Sequence, residues 1–85
     1  MFKNVIIYQI KDSSNRWAAI SAYVPKDQAD FERVCWINAN DKGETINVVD
    51  MKDFDTVEDI SDCIDTYSWL QETDPVYDKP EIFFA

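Results

Sequence analysis

Two runs rich in apolar residues occupy the first part of the chain, and a polar stretch separates them. Residues 2–10 (FKNVIIYQI) are rich in β-branched and aromatic residues, which are typical of a strand. Residues 12–15 (DSSN) carry side chains that bond to nearby backbone groups, so they favour a turn. Residues 16–24 (RWAAISAYV) then return as a second strand, which Pro25 ends because proline cannot donate to a strand ladder.

The next two runs suit a second hairpin. Residues 31–38 (FERVCWIN) contain a four-residue apolar run that fits a buried strand. Residues 40–43 (NDKG) form a tight turn, in which Gly43 supplies the left-handed backbone conformation. Residues 44–51 (ETINVVDM) alternate as a clear strand. This hairpin is the favoured interpretation.

The first of these runs also has a helical interpretation. A helix over residues 27–39 would take Asp27 as its N-cap. Val34, Trp36 and Ile37 are better strand residues than helix residues, so they favour the hairpin. The helix stays open as the alternative.

The clearest helical pattern lies over residues 55–70. Asp55 suits the N-cap position, and Glu58 three residues later completes a pair that resembles a capping box. The apolar residues that recur at helical spacing are Val57, Ile60, Cys63, Ile64 and Tyr67. Residues 82–84 (IFF) are too apolar to be left in water, so we expect them to dock on the sheet or on the helix.

Together these elements predict one small α+β domain over residues 1–85. We expect an antiparallel sheet of about four strands with one amphipathic, acidic helix at 55–70 packed on it. If residues 27–39 form a helix, the order of elements becomes ββαβα. A length of 85 residues suits a single domain with a small core.

The composition excludes several common kinds of catalytic site. The chain has no His, which excludes a Ser-His-Asp triad, a Cys-His dyad and an imidazole metal ligand. Its single Gly excludes a glycine-rich phosphate loop. Cys35 and Cys63 form no CxxC pair and lie among apolar residues, which is typical of buried free thiols. We therefore expect a protein that is not an enzyme and that has neither a metal site nor a cofactor.

We expect the chain to have no segment that directs a protein to or across a membrane. Its first ten residues do not resemble a signal peptide, because the apolar run is short and is interrupted by Tyr8 and Gln9. No apolar stretch approaches the roughly 18 residues that a membrane-spanning helix needs. We expect a soluble, cytoplasmic protein with reduced cysteines and no membrane contact.

The net charge is strongly negative and unevenly distributed. Seventeen Asp and Glu against eight Lys and Arg give a charge of −9 and a pI near 4.1. Residues 1–36 carry a net charge of +1, whereas residues 37–85 carry −10. Such a chain repels the phosphate backbone, so we expect no direct contact with nucleic acid and a basic protein as the partner.

The predicted helix gathers much of this charge on one face. At 100° per residue, its apolar residues fall between about 80° and 200°, and its acids fall on the other side. Those acids are Asp55, Glu58, Asp59, Asp62 and Asp65. Interleaved lysines would relieve the repulsion between neighbouring carboxylates, yet none occurs between Asp53 and Glu72.

One aromatic residue falls on the acidic face. Trp69 lies at about 320° on the same helical projection, among the carboxylates. Tryptophan is enriched at the energetic centres of protein interfaces, so Trp69 is a candidate binding anchor. The alternative is that Trp69 folds under the C-terminal residues and packs on Phe83 or Phe84.

These features indicate a protein that acts by binding a partner and not by catalysis. Small size, acidity and the absence of catalytic groups resemble several unrelated viral proteins that inhibit restriction enzymes, CRISPR complexes or DNA glycosylases, a similarity of type and not of sequence. The expected function is therefore inhibition of a nuclease or another nucleic-acid-binding protein, in the manner of a phage-encoded nucleic-acid mimic, through Asp55, Glu58, Asp59, Asp62, Asp65 and Trp69. The alternatives are an immunity protein or antitoxin that covers a basic toxin, and an accessory structural subunit.

Overall fold

The computed structural model describes residues 1–35, 43–70 and 79–85, and within them the chain forms two helices and one four-stranded sheet. In chain order the elements are β1 (Phe2–Lys11), β2 (Ser21–Val24), α1 (Gln28–Cys35), β3 (Thr45–Phe54), α2 (Val57–Leu70) and β4 (Ile82–Phe84). The prediction of the α+β class is confirmed. Neither helix in this part of the chain is long and apolar enough to cross a membrane.

The sheet has the strand order β3-β1-β2-β4, with the long strand β1 near its centre. Strand β1 pairs antiparallel with β2 and with β3, so that Ile6 lies opposite Tyr23 on one side and Met51 on the other. Strand β4 pairs parallel with β2. The sheet is therefore mixed, although most of its pairing is antiparallel, and the expected docking of residues 82–84 on the sheet is confirmed.

The favoured strand over residues 31–38 is wrong as far as Cys35, because the chain forms α1 from Gln28 to Cys35. The Asp27 carboxylate caps the helix by accepting a hydrogen bond from the Asp30 N–H at 2.8 Å. Arg33, one turn further on, donates to Asp30 at 2.8 Å. These polar contacts outweigh the strand preference of Val34, so the helical alternative with Asp27 as its N-cap is confirmed from Gln28 to Cys35. Residues 36–42 of both interpretations lie outside the described residues.

The second predicted strand is shorter than expected. It begins at Ser21, and Trp17 forms only an isolated bridge with Lys11. The turn before it has the predicted side-chain bonds: Asp12 Oδ1 accepts from the Ser14 and Arg16 N–H groups, both at 2.9 Å. Strand β3 lies where a strand was expected, but it pairs with β1 and not with a neighbouring hairpin strand.

The two faces of the sheet meet different helices. One face and α2 share a cluster of buried apolar side chains, which consists of Val5, Ile7, Ile20, Ala22, Val24, Phe54, Ile60, Cys63 and Ile64. Because side chains alternate along a strand, Tyr23 points to the other face. There its hydroxyl donates to the buried Asp30 carboxylate of α1 at 3.0 Å. The two helices thus contact opposite faces of the sheet, α1 through Asp30 and α2 through the apolar cluster.

Candidate functional site

The candidate site is the outward face of α2, and its position starts from the helix cap. The helix begins at Val57, and Thr56 Oγ1 accepts a hydrogen bond from the Asp59 N–H at 3.1 Å. The predicted cap at Asp55 with Glu58 as its partner is therefore wrong by one residue. The same three-residue spacing recurs one position later, where the threonine oxygen lies next to the first helical residue.

The inward face of α2 fixes the rotation of the helix. Ile60, Cys63 and Ile64 are buried in the shared cluster. Towards the other end of the helix, the Tyr67 hydroxyl donates to Asp50 Oδ2 of β3 at 2.9 Å. These contacts direct the polar face of the helix away from the sheet.

The surroundings of Asp50 keep its carboxylate in the charged form that accepts this hydrogen bond. Burial alone would raise the pKa of Asp50, but hydrogen bonds from Tyr67 and from the Met51 amide, with the charge of Lys52, lower it below its usual value. Lys52 Nζ lies 3.5 Å from the Asp50 carboxylate. Asp50 is therefore charged at neutral pH and holds the C-terminal half of α2 against β3.

The remaining acids of this region form one exposed surface, which we call the acidic stripe. Its members are Asp55, Glu58, Asp59, Asp62 and Asp65, and all five are exposed. The ion pairs among the described residues join Asp12 to Arg16, Asp30 to Arg33 and Asp50 to Lys52. Within that part of the chain, no cation neutralises a member of the stripe.

The spacing of the acidic stripe is close to that of a nucleic-acid strand. Within α2, four carboxylates (Glu58, Asp59, Asp62 and Asp65) are carried by seven residue steps, which span about 10.5 Å along a helix that rises 1.5 Å per residue, and Asp55 lies just before the helix. The helical part of the stripe therefore presents roughly one charge per 3.5 Å of axis, compared with one per 3.4 Å for each strand of DNA. The helix orders the backbone that carries these charges, so only their side chains need ordering on binding.

Trp69 lies at the C-terminal end of the stripe and is 89% exposed. With Glu58, Asp62 and Asp65 it follows one line along the helix surface, because these residues are separated by four, three and four positions. Packing of Trp69 on Phe83 or Phe84 is excluded by this exposure. Instead, Asp65, Ser68 and Trp69 line a shallow open recess.

Leu70 was missed by the sequence interpretation. Its side chain is 72% exposed and follows Trp69 directly, so the end of α2 presents two large apolar side chains to solvent. The helical projection contains the signal, since Leu70 lies at about 60°, between the acidic face and the buried face. Val57, which was assigned to the buried face, is 39% exposed at the first position of the helix.

The described residues offer little reactive chemistry near the stripe. Burial raises the pKa of the Cys63 thiol, which keeps it in the weakly nucleophilic protonated form. Burial, with the charge of Glu32, also raises the pKa of Cys35 on α1. Within residues 1–35, 43–70 and 79–85, no three acidic or thiol side chains come together in a group that could hold a metal ion.

Comparison with protein-family models, with curated proteins and with solved structures finds no match for this chain. The functional argument therefore rests on the geometry of α2.

Proposed function

We propose that this protein is a non-catalytic inhibitor that occupies the basic, nucleic-acid-binding surface of a partner protein. The observation that carries the proposal is the acidic stripe: five exposed carboxylates, four of them on α2 and Asp55 just before it, with no cation against them in the described part of the chain. A basic groove shaped for a phosphate row meets a comparable row of charges on α2.

The charge density of the stripe favours rapid capture of such a partner. A surface of one sign raises the rate of encounter with a surface of the opposite sign, and the effect weakens as salt is added. Neighbouring carboxylates on a helix repel one another by a few tenths of a kcal/mol per pair. Contact with a basic groove relieves this repulsion, so the arrangement that costs stability in the free protein contributes to binding.

Trp69 supplies a contact that charge alone does not give. A buried tryptophan removes a large apolar area from water, and tryptophan is the residue type most enriched at interface hot spots. Leu70 lies beside it and extends the apolar surface. We therefore assign the stripe to the rate and orientation of binding, and Trp69 to the lifetime of the complex.

Competition with DNA tests this function. The full chain is immobilised, exposed to a cell lysate, and washed with double-stranded DNA at constant ionic strength. We expect nucleic-acid-binding proteins to be captured through the stripe and released by DNA, because the two ligands share one surface. Captured proteins that stay bound at saturating DNA would contradict nucleic-acid mimicry and would favour the alternative of an immunity protein on a basic toxin.

A Trp69 variant of the protein tests the apolar contact in the same assay. Trp69→Ala should release the captured protein at least about tenfold faster, which corresponds to the loss of roughly 1.4 kcal/mol or more at a hot spot. Its melting temperature should match that of the wild type, since Trp69 is exposed. A large drop in melting temperature with unchanged release would show that Trp69 stabilises the fold and does not bind.

A further inference from the structure

Strand β4 is weakly attached to the rest of the fold. It has three residues, whereas β1 and β3 have ten each, and it lies at the edge of the sheet next to β2. Its pairing with β2 is parallel, with Ala22 opposite Ile82. Among the described residues no other strand pairs with β4, so one neighbour holds it.

Main-chain hydrogen bonds supply much of this attachment. The Ala22 N–H donates to the Glu81 carbonyl at 2.9 Å, and the Ala85 N–H donates to the Val24 carbonyl at 3.0 Å. The Glu81 N–H adds a bond to the Ser21 hydroxyl at 3.3 Å. Each such bond contributes little net stability, because the same groups bond to water when the strand leaves.

The side chains of β4 bury little apolar area. Phe83 and Phe84 are 43% and 56% exposed, and Phe84 contacts the ring of Phe2 with a centroid distance of 6.0 Å. Ile82 packs against the buried cluster but is only partly buried. No member of the fully buried cluster belongs to β4, so the core shared by β1, β2, β3 and α2 does not need this strand.

Open recesses flank β4 on both faces of the sheet. The one beside α2 is lined by Ser61, Ile64, Asp65, Pro80, Glu81 and Ile82. The one on the opposite face is bordered by Tyr8, Ile10, Lys79 and Phe83, among others. The strand is therefore loosely packed above and below, in addition to having a free outer edge among the described residues.

We propose that β4 is a detachable cover strand: it opens as a unit while the three strands β3-β1-β2 and α2 stay folded. Opening frees the N–H of Ala22 and the carbonyl of Val24, and it turns β2 into an open strand edge. Open strand edges pair with other chains and promote aggregation, so β4 protects the fold from edge-to-edge pairing. This device is independent of the acidic stripe.

The alternation of amide directions along β2 provides a reporter with an internal control. The Ala22 N–H points to β4. In an extended strand the next amide points to the opposite side, so the Tyr23 N–H points to β1, where Tyr23 lies opposite Ile6. Opening of β4 therefore exposes the amide of Ala22 to exchange, while that of Tyr23 stays protected until the sheet itself unfolds.

Native-state hydrogen exchange of the full chain, measured by NMR and corrected for intrinsic rates, tests the proposal. We expect the Ala22 amide to exchange at least about tenfold faster than the Tyr23 amide. Phe84→Ala, which removes the contact with Phe2, should accelerate Ala22 by a further factor of about ten and leave Tyr23 unchanged. Trp69→Ala, the loss of an exposed aromatic residue outside β4, is the matched control and should change neither amide.

Equal protection of the two amides in the wild type would overturn the proposal. So would an equal acceleration of both amides by Phe84→Ala, because β4 would then unfold only together with the whole sheet. Neither result bears on the binding of a partner to α2.

Discussion

At the scale of single residues, Asn4 occupies the most restricted backbone position in β1. Its φ is +56°, a left-handed conformation that L-residues other than Asn and Asp rarely adopt. The pairing of β1 with β3 shifts between Phe2 and Val5, so that this part of β1 bulges. The Asn4 N–H, which the bulge turns away from the regular ladder, donates to Asp53 Oδ1 at 2.9 Å.

The loss of stability when Asn4 is substituted should therefore depend on the backbone freedom of the new residue and not on the lost side-chain amide. Asn4→Ala should lower the free energy of unfolding by about 1–2 kcal/mol, the cost of a left-handed conformation for alanine. Asn4→Gly also loses the side-chain bond to Gln28, but it should be destabilised by much less, because glycine adopts this conformation freely. Urea denaturation of both variants measures the difference, and equal losses would show that backbone strain is not the cause.

Residue-level details of this kind could not be predicted from the sequence. The bulge at Asn4 depends on the pairing of β1 with a strand more than 40 positions later, and nothing local to Asn4 signals it. In the sequence Asp30 is one charge among many, yet in the structure it is buried between Tyr23 and Arg33. Hydrogen bonds from Arg33 and Tyr23 outweigh burial and lower the pKa of Asp30, so this buried carboxylate joins α1 to the sheet.

At the scale of elements, local sequence patterns predict an element correctly only where its own residues carry a clear periodicity. The period of Ile60, Cys63, Ile64 and Tyr67 predicts α2 and its two faces, and all four contribute to the apolar side. By contrast, α1 has only eight residues, and its side chain Asp30 is stabilised by Tyr23 of β2. That contact depends on the tertiary fold, which is why the strand interpretation of residues 31–38 failed.

The sequence prediction and the structure name different caps for α2, Asp55 and Thr56, and two variants distinguish them. Thr56→Ala should lower the free energy of unfolding by about 1 kcal/mol, because the Asp59 N–H loses its acceptor at the helix start. Asp55→Ala removes a charge near the positive end of the helix and should cost less, roughly 0.3–1 kcal/mol at low salt. Thermal or urea unfolding compares the two variants at low salt and at high salt.

The two contributions respond differently to salt. The charge effect of Asp55 is screened, so Asp55→Ala should approach wild-type stability at high salt, while the loss in Thr56→Ala should persist. A larger and salt-independent loss in Asp55→Ala would restore Asp55 as the cap and contradict the observed start of the helix.

At the scale of the whole molecule, much of the excess negative charge lies apart from the ion pairs that stabilise the fold. The excess of negative charge lies in the second part of the chain, and the structure places much of it on the outer side of α2. The described ion pairs lie elsewhere, at Asp12, Asp30 and Asp50. The candidate site could be predicted from the sequence because its charges and its helix share one segment. The exposure of Trp69 could not, since it depends on where β4 docks.

The central claim is that the acidic stripe recognises a basic partner, and paired charge-neutral variants test it most directly. Asp62→Asn with Asp65→Asn removes two carboxylates from the stripe. Asp27→Asn with Glu32→Gln removes one carboxylate from the N-cap of α1 and one from α1 itself, and it keeps the cap, because asparagine caps as well as aspartate. Both variants change the net charge equally, so only the position of the lost charge differs.

The deciding measurement is the rate constant of association with a DNA-releasable partner, recorded by stopped-flow over a range of salt concentrations. We predict that the stripe variant associates about tenfold more slowly at low salt, with a shallower salt dependence, while the α1 variant stays close to the wild type. Equal rates for the two variants, or a stripe variant that associates like the wild type, would contradict the claim that the acidic stripe is the binding surface.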